Sequence, residues 1–156
     1  MSEGANRATV RRANQDDIPT LVEHRVALRL EAHDVSADTV RAFRAATTAA
    51  YAELVAAGEF IAWIAECEGE IIGSVGAFIR RTLPNIDGPP REARVQSMYI
   101  VPDRRRGGTG TALMRALLAE MRARGVRRVY LRPSPSGRRF YPAFGFEPSD
   151  EMELYP

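Results

Sequence analysis

Three arginines, three glycines and two threonines crowd the stretch Val101-Pro-Asp-Arg-Arg-Arg-Gly-Gly-Thr-Gly-Thr, and residues of these types together suit one task, the holding of an anion. Gly108 and Gly110 carry no side chain, so backbone N–H groups can come close to a phosphate and the turn can take a positive φ where it needs one. Arg105 and Arg106 can fork onto phosphoryl oxygens. A helix starting just beyond would add unpaired first-turn N–H groups and the positive end of its macrodipole, about +0.5 of a charge. Spacing narrows the class. A P-loop needs Gly-x4-Gly-Lys-Ser/Thr and a dinucleotide fold needs Gly-x-Gly-x-x-Gly in its first βαβ unit. The chain contains no lysine, and this loop comes two-thirds of the way along it. Arg105, Gly108 and Gly110 instead fill the pattern Arg-x-x-Gly-x-Gly.

Such a loop works only if a strand delivers it and a helix leaves it. An apolar run ending at Val101 supplies the strand, and Leu113, Met114, Leu117, Leu118 and Met121 recur at helical spacing before Gly125. Upstream, Thr9 to Ala13 reads as a first strand and Asn14 as the cap of a helix through Ile18, Leu21, Val22, Val26 and Leu30. Ser36 or Asp38 can cap a second helix that runs to Gly58. His24, Arg25, Arg29 and His33 lie on or near this helical pair and read as a solvated face in preference to substrate contacts. Residues 59–68 and 71–80 are β-rich and joined by Glu68-Gly69-Glu70, a hairpin turn. Gly73 and Gly76 within the second strand predict a bulge or close packing. Arg81 to Glu92 is a Pro- and Gly-containing loop of the length that often carries function. Ala93 to Val101 forms the fourth strand, Val126 to Leu131 the fifth, and Met152 to Tyr155 a last one. The predicted order is β-α-α-β-β-β-α-β-α-β.

That order and the Arg-x-x-Gly-x-Gly loop, entered through Val101-Pro102, resemble the GNAT superfamily of acyl-CoA-dependent N-acyltransferases. A second segment, Phe140-Tyr-Pro-Ala-Phe-Gly-Phe, resembles that family's aromatic-Tyr-x-x-x-Gly-Phe element, so the resemblance covers nearly the whole chain. It implies an α/β (α+β) fold with a mixed, mostly antiparallel sheet of six to seven strands, about four flanking helices and a splay between strands four and five. It further implies acetyl-CoA as co-substrate. Backbone groups of Met98, Tyr99 and Ile100 would bind pantetheine, and Arg105, Arg106, Gly107, Gly108, Thr109, Gly110 and Thr111 would cradle the pyrophosphate. The family's asparagine after strand five has no counterpart, and Ser134 or Ser136 stands in for it.

The implied activity is transfer of acetyl from acetyl-CoA to a primary amine by direct attack. That chemistry needs a neutral amine, a polarised thioester carbonyl and a proton for the departing thiolate. The family's tyrosine falls at Tyr141, whose phenol, with an ordinary pKa near 10, can protonate a thiolate resembling that of cysteine, near 8.5. Pro142 disfavours helical geometry at Tyr141. For the base, strand four offers Glu92 at its outer end, with a water chain or a histidine of the first helices as alternatives.

Composition bounds the rest. A chain of 156 residues with 45% hydrophobic and 27% charged residues is long and apolar enough for one domain spanning 1–156. The N-terminus has no signal-peptide core and no apolar run is long enough for a membrane span, so a cytoplasmic protein without a membrane partner is expected. Two histidines and the single Cys67 give neither a zinc cluster nor a disulfide, and Cys67 reads as a small buried residue. Residues 104–139 hold eleven of the 22 arginines and one acid, Glu120, whereas 147–156 hold four acids and no arginine. The basic stretch expects a polyanion. Coenzyme A suits it, and nucleic acid is disfavoured because no interleaved aromatics or nucleic-acid-binding signature accompany the arginines. A non-catalytic acyl-CoA sensor is the other alternative. The acceptor is an amine of a small molecule or peptide, and a homodimer is left open.

Overall fold

Apolar side chains on both faces of Phe60-Ile-Ala-Trp-Ile-Ala-Glu-Cys require cover from two sides. In a computed structural model, which describes residues 8–84, 86 and 90–156, this segment lies within a five-stranded sheet with a helical layer on each face. The strands β1 (Thr9–Arg12), β2 (Phe60–Cys67), β3 (Glu70–Arg81), β4 (Arg91–Ile100) and β5 (Arg128–Tyr130) lie side by side in chain order. The first three pairings are antiparallel, and β4 with β5 is parallel. The turn between β2 and β3 uses Glu68 (φ 52) and Gly69 (φ 83), two left-handed residues in the manner of a two-residue hairpin loop.

Three α-helices supply the cover: α1 (Ile18–Leu30), α2 (Ala37–Ala56) and α3 (Thr109–Ala123). Asn14 starts the first through a 3-10 turn. Its side chain accepts from the Asp16 N–H at 2.8 Å while its own N–H donates to Asp17 at 2.8 Å. Ser36 caps the second by accepting from the Thr39 N–H at 3.2 Å, and Gly58 (φ 70) ends it. Leu21, Val22, Val26 and Tyr51 bury against Phe60, Ala62 and Ile64 on one face of the sheet. On the other, Leu113, Met114 and Leu117 bury against Ile61, Ala65 and Val75. Each of the buried leucine, isoleucine, valine, methionine and phenylalanine side chains contributes about 1.5–3 kcal/mol. Phe60 lies directly over Gly76, where an added Cβ would come 2.2 Å from the Phe60 Cζ, so close packing is the reason for glycine there. Cys67 is buried, at 4% exposure.

Among the described residues the sheet has five strands and there are three α-helices, fewer than the six to seven strands and about four helices expected. The shortfall lies after β5. Pro133, Pro135, Gly137 and Pro142 punctuate that region, and its helical reading reduces to a 3-10 turn, Tyr141–Phe144. Met152 to Tyr155 forms no strand, because its side chains are exposed and its acids are drawn to arginines instead. Glu151 pairs with Arg128 and Glu153 with Arg132, while Arg132 Nη1 also donates to Tyr155 Oη at 2.8 Å. The acidic C-terminal segment thus folds onto the basic one. Within the loop after β3, positions 85 and 87–89 lie outside the described residues. Among the described residues no helix is long and apolar enough to cross a membrane.

Candidate active site

The site is built around one extra residue in β4. Ser74 pairs with Tyr99 and Gly76 with Gln96, so Val75 alone faces both Ser97 and Met98, and Ser97 takes φ 57. This is a β-bulge, which re-aims the side chains after it. Ala93 and Val95 pack in the core beneath α3, and strict alternation would send Ser97 there too. Past the bulge it is Met98 and Ile100 that pack on that side, while Ser97 and Tyr99 turn towards α1 and α2. The other edge of β4 opens at the same level. β5 pairs only with Glu92, Ala93 and Arg94, so among the described residues that edge has no strand partner from Val95 to Ile100. The expected splay between strands four and five is therefore present, and its main-chain donors and acceptors face a gap.

At the far end of this free edge stands the start of α3. Val101 leads into a 3-10 turn, Pro102–Arg104, and then Arg106 (φ 66) and Gly108 (φ 83) each take left-handed backbone. Gly108 is the N-cap of α3 and no side chain caps the helix, so the N–H groups of Thr109, Gly110 and Thr111 have no side-chain partner there. A Cβ built on Gly108 would meet nothing within 4 Å. An open cleft of about 590 Å³ lies against Arg104, Arg105, Gly107, Gly108, Thr109, Thr111 and Arg115. Backbone donors, a helix N-terminus and arginines converge here, an arrangement fitted to a diphosphate. Arg105 is held in place from the other side: its Nε donates to the Ile100 carbonyl at 2.9 Å, it pairs with Glu31, and it stacks 5.6 Å over Tyr99.

The segment after β5 closes over the gap. A Cβ on Gly110 would lie 3.4 Å from both Met98 Cε and Phe140 Cζ, and one on Gly137 would lie 3.0 Å from Ser134 Oγ and 3.6 Å from Tyr141 Cε2. Met98, Gly110, Phe140, Tyr141 and Ser134 are thereby neighbours. Pro142 is accommodated in the first turn of the 3-10 segment that Tyr141 opens. Phe140 and Phe146 meet the Tyr141 ring edge-on at 5.2 and 5.8 Å, and burial pushes its phenol pKa up, which keeps the proton on at neutral pH. Ser134 Oγ accepts from the Gly137 N–H at 3.1 Å and lies 3.3 Å from Ser136 Oγ, so both serines sit on the turn that supports the tyrosine.

Glu92 stands elsewhere. It pairs with Arg128 at the closed end of β4, roughly 16 Å along the strand from Ser97 at about 3.3 Å per residue. Its carboxylate accepts from Arg80 at 2.9 Å and Arg128 at 3.3 Å, and these guanidinium groups, Arg80 foremost, hold its pKa below the usual carboxylate range. A carboxylate so placed is a poor collector of the amine proton. The bulge instead has neighbours that the amphipathic pattern hid. His24 is 7% exposed, its Nδ1 lies 2.8 Å from Ser74 Oγ, and its ring lies 5.0 Å from that of Tyr99. Burial pulls its pKa down, leaving the imidazole neutral. Arg25 Nη1 donates to Ser97 Oγ at 2.9 Å, and Tyr51 Oη reaches the same oxygen at 3.4 Å. The solvated-face reading fails for His24 and Arg25. Their signal in the sequence was two polar residues beside Leu21, Val22 and Val26 on a helix that must cover a sheet.

Comparison with known proteins agrees with this geometry. The family model described as the acetyltransferase (GNAT) family matches residues 27–146. A GCN5-related N-acetyltransferase from Ralstonia eutropha JMP134 superposes with a TM-score of 0.85 at 25% identity, over 96% of this chain and 99% of its own. A predicted acetyltransferase from Clostridium acetobutylicum, solved with acetyl-CoA, gives 0.83 at 25% identity over 96% of each chain. An aminoglycoside N-acetyltransferase in complex with CoA shares the fold, with a TM-score of 0.73 at 21% identity over 100% of this chain and 98% of that one. No curated protein sequence matches significantly. The family model's span runs from α1, through the bulged fourth strand and the uncapped glycine-rich helix start, to Phe146 of the tyrosine segment, and the chain belongs to the acetyltransferase (GNAT) family.

Proposed function

We propose that this acyltransferase moves acetyl from acetyl-CoA to a primary amine by direct attack, and that it works in the cytoplasm. The observation that carries the reading is the free edge of β4 from Val95 to Ile100, running from the bulge at Ser97 to the uncapped N-terminus of α3. An extended pantetheine arm matches the free edge, with Met98, Tyr99 and Ile100 offering backbone groups. A diphosphate matches the loop from Arg105 to Thr111. When bound, acetyl-CoA supplies an electrophilic thioester carbonyl and a thiolate leaving group.

The chain's own residues then have three tasks. Backbone N–H groups at the bulge polarise the carbonyl oxygen, a fixed dipole in a site closed on both faces by packed helices. Tyr141 Oη donates its proton to the departing sulfur, and its raised pKa keeps that proton in place until negative charge develops there. Ser134 and Ser136 brace the turn on which Tyr141 stands. The amine loses its proton on the α1–α2 side, where the neutral imidazole of His24 lies under the bulge and Glu92 does not reach. The test is a panel of primary amines offered with acetyl-CoA, read by free thiol release and by the mass of an acetyl group on the amine. Thiol release without amine acetylation, or none with any amine, would overturn it.

A further inference from the structure

Among the described residues Arg25 has no counter-charge. Its guanidinium is half-buried between α1, α2 and the bulge, with Nη1 on Ser97 Oγ at 2.9 Å and its carbon 5.6 Å from the Phe43 ring centroid. Burial is the main influence on it and works against its charge, and the groups that act on it are Tyr51 and Arg29, neither of them an acid. Apart from Arg104, at the mouth of the cleft, the other part-buried arginines are met by acids. Arg11 is met by Asp17 and Glu66, each at 2.8 Å, and Arg124 by Glu120 at 2.7 Å. Among the described residues Arg25 is in no ion pair. Five N–H donors fan from a guanidinium, one is placed on Ser97, and the rest find at most the Tyr51 hydroxyl. A charge drawn partly out of water with hydroxyls alone around it is unfavourable unless something anionic completes it.

The position says what that anion is attached to. Arg25 touches the bulge residue itself, on the face opposite α3, where an amine must stand to reach a carbonyl presented at the bulge. Ser97 Oγ accepts from both Arg25 and Tyr51, which leaves its own hydrogen to donate outward. We infer that Arg25 selects acceptors that carry an anionic group, a carboxylate or a phosphate, within a few bonds of the amine. This rests on the acetyl-transfer reading above and narrows its acceptor class. Phe43 holds the guanidinium by a cation–π contact, and the donors not placed on Ser97 stay presented.

The test compares matched pairs that differ in the anion, with kcat/KM referred to the neutral amine of each: phenylalanine against its amide for the carboxylate, and phosphoethanolamine against ethanolamine for the phosphate. In the parent protein the anionic member of at least one pair should win in kcat/KM by about 10- to 100-fold, the ratio that a charge-assisted hydrogen bond supplies. Which pair shows it identifies the anion. Arg25→Met keeps the stem and removes the charge, and should bring the two members within about threefold of each other by lowering kcat/KM for the anionic one. Arg25→Lys should fall between, since it keeps charge and loses the fork. A second measurement needs no turnover: thermal stabilisation of the CoA-saturated protein by N-acetylphenylalanine and N-acetylphosphoethanolamine, against their neutral counterparts. Anion-dependent stabilisation that Arg25→Met abolishes, with no acetylation of any amine, would sustain Arg25 and sink the transfer reading. Acetylation with equal preference for neutral and anionic amines would do the reverse. A preference that survives in Arg25→Met, or no anion dependence in either measurement, overturns the inference.

Discussion

Gly108→Val separates what the cradle does for the fold from what it does for a ligand. The residue sits at φ 83, so any L side chain there carries backbone strain, about 1–2 kcal/mol. The structure adds no second cost, because a Cβ at this position meets nothing within 4 Å. Gly58, after α2, has the same two properties, φ 70 and open space, and lies far from the loop in sequence. Gly58→Val is therefore a control matched in strain. For a domain of this size about 1 kcal/mol moves Tm by about 2–4 °C, so both variants should melt roughly 2–8 °C below the parent. Coenzyme A at 100 times its Kd should stabilise the parent by about 2.7 kcal/mol, a rise of roughly 5–11 °C. Gly58→Val should keep that rise and Gly108→Val should lose it, because two methyls would stand where the diphosphate approaches the backbone. The assay is a dye-monitored melt with and without coenzyme A. An equal rise in the two variants would refute the cradle, and a loss in both would mean that strain alone, wherever placed, disables binding.

Three further outcomes follow from the site. Tyr141→Phe removes one oxygen from a packed ring and should lower kcat by about 100-fold or more while Tm stays within about 2 °C, measured by steady-state thiol release and melting; unchanged turnover would leave Tyr141 a packing residue. Arg105→Ala should weaken coenzyme A binding by about 1.5–3 kcal/mol and flatten its dependence on salt in calorimetry. An Arg105 that merely tethers Ile100 and Glu31 at the surface would shift affinity by under about 1 kcal/mol. His24 is buried with its pKa lowered, so between that lower value and the unfolded value near 6.5 the unfolded chain binds the extra proton. Stability should then fall as pH drops below about 6.5, and His24→Gln, which cannot titrate, should flatten that slope in a series of melts from about pH 8 to about pH 5.

The parts of the molecule that repeat a period were legible without coordinates. Leu113, Met114, Leu117, Leu118 and Met121 announce the buried face of α3, and all five are buried. Asn14, Ser36 and Gly58 mark helix ends because capping chemistry is local. The bulge was half legible. Gly73 and Gly76 on β3 hinted at it, but the inserted residue is Ser97 on the partner strand, and a serine at φ 57 carries no signature in one sequence. With the bulge unseen, Ser97 was not paired with Arg25, nor Ser74 with His24, since those contacts span 72 and 50 positions. Glu92 drew attention as the acid of strand four. Its two arginine partners come from β3 and β5, and only the sheet register brings them to it. After β5 the prolines outweighed the apolar pattern, so a helix shrank to one 3-10 turn and an acidic end chose arginines over a strand edge.

The folded-back acidic end also shapes how a charged ligand meets the molecule. Glu151 and Glu153 neutralise Arg128 and Arg132 at one side of the basic stretch. Arg104, Arg106 and Arg115, beside the start of α3, appear in no ion pair among the described residues, and Arg106 and Arg115 are exposed. The offset is local, because Arg127, Arg138 and Arg139 are exposed and also appear in no ion pair among the described residues. The basic stretch thus keeps most of its charge while the acidic end takes up Arg128 and Arg132. An approaching polyphosphate would be captured faster within a Debye length of about 8–10 Å, and more slowly as salt shortens it. The folded-back acids withdraw two arginines from competition with those beside the glycines for its phosphates.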